Sequence, residues 1–220
     1  MIHIENLAKK YGNEEVLKDI SMNFHPGTIY GLVGANGCGK TTLMRIICGF
    51  VKPTAGKVVV NGKQIGKDIN FAPKTGIIIE APGFLPHYSG LRNLLILASI
   101  SGGADKSRVA DVMRQVGLDP ENKKPVGKYS LGMRQRLGIA QAIMEGPDIL
   151  MLDEPFNGLD KNAMEEIRSL FQRLKQQGKL IILVSHYAQE IANNCDIVYE
   201  IVDGTLRLAA TATGKMAANA

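Results

Sequence analysis

Gly34-Ala35-Asn36-Gly37-Cys38-Gly39-Lys40-Thr41-Thr42 fits the pattern G-x-x-x-x-G-K-[ST], and it sits in the surroundings that pattern requires. The apolar run Ile29-Tyr30-Gly31-Leu32-Val33 before it reads as a buried strand. Behind it, Leu43-Met44-Arg45-Ile46-Ile47-Cys48 continues at helical spacing until Gly49. Gly34, Gly37 and Gly39 let the backbone enter conformations closed to residues with a Cβ, so successive N–H groups can turn inward around a polyphosphate. A helix starting near Lys40 aims its unpaired N–H groups at the same anion. Lys40 adds a point charge for the β- and γ-phosphates, and the Thr41 hydroxyl is placed to ligate Mg²⁺. Asn36, Cys38 and Thr42 complete the wall of this nucleotide-binding loop. A glycine turn that merely joined strand to helix would not call for the Lys-Thr pair.

Two later runs point to the same sheet edge. Ile149-Leu150-Met151-Leu152 is continuously apolar, as expected of a central parallel strand covered on both faces, and it delivers Asp153-Glu154 at its C-terminal end. Two adjacent carboxylates there are costly unless paired or metal-bound. Leu180-Ile181-Ile182-Leu183-Val184 repeats the pattern and delivers Ser185-His186. A lone His at a strand end is usually structural, but ligands of α/β sheets bind beyond the C-terminal strand ends, where Lys40 and Asp153 also fall.

The remaining elements arrange themselves around this core. Alternation in Ile2, Ile4 and Leu7 and a stretch from Val16 to Phe24 predict an antiparallel β-layer, with Tyr11-Gly12-Asn13 as the turn and Tyr11 as a loop aromatic. Val51 to Val60, followed by Asn61-Gly62, predicts another hairpin. Thr75 to Ile79 reads as a short buried strand ending at Glu80. The loop that follows, Ala81 to Tyr88, carries Phe84, Leu85 and Tyr88, which either fold back or face a partner. Leu91 to Ile100 and Lys106 to Val116, capped by Asp105, read as helices. A third helix opens at the N-cap Ser130 with Leu137, Ala140, Ile143 and Met144 on its apolar face, and ends at Gly146-Pro147. Lys161 to Gln177 is helical. The predicted fold is α/β, a mostly parallel sheet with an N-terminal antiparallel β-subdomain and a small helical subdomain inserted at about residues 85–146. One unit spans 1–208, and 209–220 form a patternless tail.

Composition narrows the class. In 220 residues the net charge of +5 is scattered rather than massed, which argues against a nucleic-acid binder. MIHIENLAKK lacks the apolar core of a signal peptide, and no run approaches the ~18 apolar residues of a membrane span. A membrane role is expected only through a partner. Cys38, Cys48 and Cys195 are odd in number and widely spaced, which suits neither a disulfide framework nor a zinc site, and a reducing cytoplasm is the simplest compartment.

Together these residues resemble the ATP-binding cassette family, the motor subunits of ABC transporters, from about Ile2 to Leu208. GANGCGKTT looks like its Walker A loop, ILMLDEP its Walker B strand, Asn157 to Asp160 its D-loop and His186 its switch histidine. Ser130-Leu131-Gly132-Met133 with Arg134-Gln135-Arg136 looks like its signature motif, and Tyr11 fits the aromatic that stacks on adenine. The resemblance implies a P-loop NTPase core and a head-to-tail homodimer in the ATP state, each ATP held between one copy's Walker A loop and the other's Ser130 and Gly132. It implies a transmembrane permease as partner, at the inner face of the cell membrane. It further implies Lys40, Glu154 and His186 as catalytic groups and Thr41, Asp153 and Glu80 around Mg²⁺.

Two departures stand out: Leu131 and Met133 replace a Gly and the Gln of the signature, and Glu80 replaces a Gln. With the APGFLP loop, they look like the cassettes of bacterial bacitracin and lantibiotic self-protection transporters. An ionised Glu80 near Asp153, Glu154 and a triphosphate is expected to be costly without Mg²⁺. Cys38, inside the amide-lined loop, is expected to be a reactive thiol shielded by bound nucleotide. Among rivals, a DNA-repair cassette needs a long coiled coil, whereas only about 90 residues without sustained heptads separate the loop from Ser130. A ribosomal cassette needs two such units in one chain. A scaffold that binds ATP without hydrolysing it stays open, with Glu154 arguing against it.

Overall fold

The computed structural model describes residues 1–80, 83–102, 105–186, 191 and 194–211. Strand β1 (Ile2–Tyr11) pairs antiparallel with β2 (Glu14–Phe24). β3 (Ile29–Val33) then leads through the glycine loop into helix α1 (Lys40–Cys48). β4 (Ala55–Val60) and β5 (Lys63–Gln64) return to β1, giving a four-stranded sheet in the order β2-β1-β4-β5. Tyr11 is the last residue of β1, cross-paired with Glu14, and not a loop residue as expected. The hairpin turn is only Gly12-Asn13, tight because Gly12 takes φ 59°.

β6 (Thr75–Ile78) opens the inserted helices α2 (Gly90–Ser101), α3 (Lys106–Gln115) and, after a 3₁₀ turn at Val126–Lys128, α4 (Leu131–Ile143). Asp105 caps α3 and Ser130 caps α4, each by accepting a main-chain N–H three residues on, as the sequence pattern predicted. β7 (Ile149–Asp153), α5 (Lys161–Gln176) and β8 (Leu180–Val184) follow within a residue or two of expectation. β9 (Ile197–Val202) and β10 (Thr205–Thr211) complete a six-stranded sheet in the order β10-β9-β3-β8-β7-β6, parallel except for β10.

The last hairpin was not anticipated. Asp203-Gly204, with φ of 50° and 80°, is the two-residue turn that carried the missed signal. β10 continues past the expected boundary at Leu208 to Thr211, because pairing of Ala210 with Val198 and Thr211 with Ile197 makes a strand of residues too small to show alternation. Residues 212–220 of the expected tail lie outside the described residues, as do Ala81 and Pro82 of the loop after Glu80.

Alternation along the parallel strands divides the core in two. Ile149 and Met151 of β7, Ile182 of β8 and Tyr30 and Leu32 of β3 face α1 and the antiparallel sheet. Leu150, Leu152, Ile181 and Leu183 face the helices α2 to α5. Both faces are therefore buried, which is why these strands read as unbroken apolar runs. The loop bearing Phe84, Leu85 and Tyr88 splits between its two expected fates. Phe84 packs on the helical core, while Leu85 and Tyr88 stay partly exposed. Buried Asn93 pins the loop, accepting from Leu85 N at 2.7 Å and donating to Leu85 O at 3.1 Å.

Candidate functional site

Parallel pairing brings the C-terminal ends of β3, β7 and β8 to one edge, with Leu32 opposite Val184 and Asp153 opposite Val184. The glycine loop lies on that edge. Gly34 takes φ 147°, and a Cβ there would stand 2.6 Å from Ile201 O. Gly39 takes φ 108° and caps α1 with no side-chain hydrogen bond, so the N-terminal amides of α1 are left to an anion. A Cβ on Gly39 would meet Leu17 Cδ2 at 2.7 Å, which seats β2 directly on the loop. Buried Lys40 donates through Nζ to Gly34 O at 2.7 Å and Ala35 O at 2.8 Å, so its charge is held across the loop.

A cleft of about 380 Å³ joins Asn36, Gly37, Gly39, Lys40, Thr41 and Thr42 to Asp153, Glu154 and His186. Cys38 lies in the same loop but turns its sulfur toward Gly34 and packs against the core. Thr41 Oγ1 donates to Asp153 Oδ2 at 3.2 Å. Burial raises the pKa of Asp153; the Thr41 hydrogen bond opposes this, Glu154 adds to it, Lys40 opposes it and Glu80 adds to it. A hydroxyl beside a carboxylate suits Mg²⁺, which needs only one or two protein oxygens besides phosphate and water. No cluster of three His, Cys, Asp or Glu side chains fit for a metal occurs among the described residues.

Glu154 is held from several sides. Its backbone takes φ 47°, its N–H donates to Val184 O at 2.8 Å, and its carbonyl accepts from Gln135 Nε2 at 3.0 Å. Ser185 donates its hydroxyl to Oε2 at 2.7 Å. His186 reaches Oε1 by its main-chain N–H at 2.9 Å and by Nδ1 at 2.6 Å. Ser185 was not singled out in the sequence as functional and Gln135 only as part of the motif opening α4, since neither belongs to a spacing that predicts contact with Glu154.

Glu80 departs from expectation in its electrostatics. Its side chain is 68% exposed and forms an ion pair with Arg45 of α1, while its charge still adds to the raised pKa of Asp153. It lines a hollow beside the cleft, with Leu131, Gln135 and Asn157, rather than the cleft itself. Tyr11 is half-exposed on the hairpin that reaches the loop, with Lys9 Nζ 4.7 Å from its ring centroid.

Ser130 and Gly132 line neither hollow. Ser130 Oγ accepts from Met133 N at 3.1 Å. A Cβ on Gly132 would lie 2.7 Å from Gly158 O, and one on Gly158 would lie 2.5 Å from Leu131 Cγ. The turn opening α4 and the Asn157–Asp160 turn are thus interlocked.

The ABC transporter family model matches residues 17–157, more than half of the chain. The chain belongs to the ABC transporter ATP-binding family. YybJ of Bacillus subtilis, an uncharacterised ABC transporter ATP-binding protein, is 44% identical over 94% of both chains. The bacitracin transport ATP-binding protein BcrA of Enterococcus faecalis is 43% identical over 94% of this chain and 68% of its own. The lantibiotic transport ATP-binding protein SrtF of Streptococcus pyogenes is 36% identical over 94% and 90%. Among solved structures, the dimeric cassette MJ0796 superimposes with a TM-score of 0.84 at 24% identity, over 94% of this chain and 97% of its own. Its post-hydrolysis dimer with ADP and Pi gives 0.83 at 23%, again over 94% and 97%. Both share the fold. The cassette is the ATP-binding, ATP-hydrolysing subunit of an ABC transporter, a class that works with transmembrane partners. No helix among the described residues is long and apolar enough to cross a membrane.

Proposed function

We propose that this cassette hydrolyses Mg-ATP as a homodimer on the inner face of the cell membrane, driving export of a peptide antibiotic or similar amphipathic compound through a separate permease. The observation that carries this reading is the convergence of Lys40, Thr41, Asp153, Glu154 and His186 on one cleft. The names of BcrA and SrtF support the substrate class.

Hydrolysis needs a water in line with the γ-phosphorus and stabilisation of the charge that spreads over the transferring group. The loop amides and Lys40 supply that stabilisation, exchanging the Gly34 and Ala35 carbonyls for phosphate oxygens. Thr41 and Asp153 would hold Mg²⁺, whose chemistry is to neutralise phosphate oxygens; Glu80, drawn to Arg45, stands beside them. Glu154 accepts the proton of the attacking water as the bond from the γ-phosphorus to the ADP oxygen breaks. His186, bonded to Glu154, is the group that exchanges that contact for the γ-phosphate. Tyr11 stacks on adenine, and Ser130 and Gly132 complete the site of the second copy.

Glu154→Gln tests the reading, because the amide cannot take the proton. The mutant should bind ATP, lose turnover about 100-fold or more and elute as an ATP-dependent dimer in size-exclusion chromatography. A monomeric, fully active mutant would overturn the assignment. Co-purification from native cells should then bring down an untagged membrane protein.

A further inference from the structure

Ser185 stands at the end of β8, is 1% exposed, and donates its main-chain N–H to Leu32 O of β3 at 3.2 Å. The sheet therefore fixes where its hydroxyl begins. From there the hydroxyl reaches Glu154 Oε2 at 2.7 Å, while His186 takes Oε1. The two holds differ in kind. The His186 side chain is 39% exposed and turns about two torsions at an open cleft, whereas Ser185 is enclosed and turns about one. Glu154 swings on three torsions; Oε1 keeps the His186 main-chain N–H at 2.9 Å when the ring moves, and the Ser185 hydroxyl on Oε2 is the second fixed point that limits the carboxylate to a single orientation.

We propose that Ser185 is a positioning residue for ATP hydrolysis. Its hydroxyl anchors Oε2 of Glu154 while the His186 main-chain N–H keeps Oε1, so that the Oε1 lone pair given up by the His186 ring faces the attacking water. The inference rests on Glu154 acting as the base. Ser185 is absent from the residues lining the phosphate cleft, so its role separates from ATP binding. A misplacement of the order of 1 Å in a reacting group can cost about 100-fold in rate.

The test compares Ser185→Ala and Ser185→Thr in the full chain, measuring ATPase kcat and KM, affinity for a fluorescent ATP analogue, and melting temperature. Ser185→Ala should lower kcat roughly 10- to 100-fold while KM and affinity stay within about twofold. Ser185→Thr keeps the hydroxyl and should recover most of the loss. Should the extra methyl unfold the chain, the double mutant decides: in a Glu154→Ala background, adding Ser185→Ala should change the residual single-turnover rate by less than about twofold. Wild-type kcat in Ser185→Ala, a rise in KM equal to the fall in kcat/KM, or full additivity with Glu154→Ala would overturn the proposal. Full turnover by Glu154→Ala alone would instead overturn the reading of the base on which it rests.

Discussion

Asp153 is a carboxylate that the fold makes harder to ionise, because burial outweighs the help of Thr41 and Lys40. The folded state holds that proton more tightly than the unfolded state. Stability therefore falls as pH rises from the unfolded carboxylate value of about 4 through the raised folded value, and at neutral pH the charge is a standing cost. Asp153→Asn should raise the melting temperature of the nucleotide-free chain at pH 7 by roughly a degree or two, partial exposure screening the effect. The gain should vanish below about pH 4, and a lower melting point at pH 7 would refute the argument. Cys38 makes a second residue-scale case. Burial pushes the Cys48 thiol up to about 12 and raises that of Cys195 further, leaving half-buried Cys38 as the accessible thiol. Alkylation should map to Cys38, block nucleotide binding and be slowed by Mg-ATP. Equal labelling with and without ATP, read by mass spectrometry, would count against this.

Between elements, the glycines decide how closely helices and strands approach. A Cβ on Gly76 in β6 would lie 1.9 Å from Ala142 O of α4, a distance no side-chain adjustment relieves because the neighbour is backbone. Gly76→Ala must part β6 from α4 and should destabilise the fold by about 3 kcal/mol, visible as a lower urea midpoint. An unchanged midpoint would mean that α4 is not seated on β6 as described. Close backbone approach also accounts for the altered signature. Leu131 stands where the family pattern has glycine, and Gly158 of the neighbouring turn leaves the space it occupies. Gly132 is retained because it touches the carbonyl of that turn, a requirement internal to one chain and independent of any contact with nucleotide. The position of Gly132 was legible as part of a motif; this reason for it was not, because Gly158 lies on another element.

At the scale of the whole molecule, the Arg45–Glu80 pair ties α1, behind the glycine loop, to the chain entering the inserted helices. An exposed pair of this kind contributes at most about 1 kcal/mol to stability, so its consequence lies in where it holds the loop rather than in the fold. Glu80→Gln should leave the melting temperature nearly unchanged and alter the Mg²⁺ dependence of the ATPase. It should also weaken transport more than nucleotide affinity. Superimposable Mg²⁺ titrations of wild type and mutant, with intact transport, would exclude that role. The pair also revises the expectation from sequence, where Glu80 stood as an uncompensated charge and Arg45 was only one more residue of an amphipathic helix.

What the sequence determined by itself was set by neighbours along the chain, the Asp203-Gly204 turn being the local signal left unread. The glycine loop between β3 and α1 follows from positive φ and helix-terminal amides, the caps of α3 and α4 from side chains three residues from their partners, and β7 and β8 from unbroken apolar runs. Those runs also placed Asp153, Glu154 and His186 at one sheet edge. Only the tertiary structure decided which strands lie side by side, and with that the contacts of Glu154 with Ser185 and His186 across 31 and 32 residues. It likewise decided the pairing of Arg45 with Glu80, the close approach of Gly132 to Gly158, and the extension of β10 through the small residues at its C-terminal end. The reason is that strand order is a property of the packed sheet. Local periodicity states that a segment is buried on both faces, while the identity of its neighbour is settled only when all the faces are buried together.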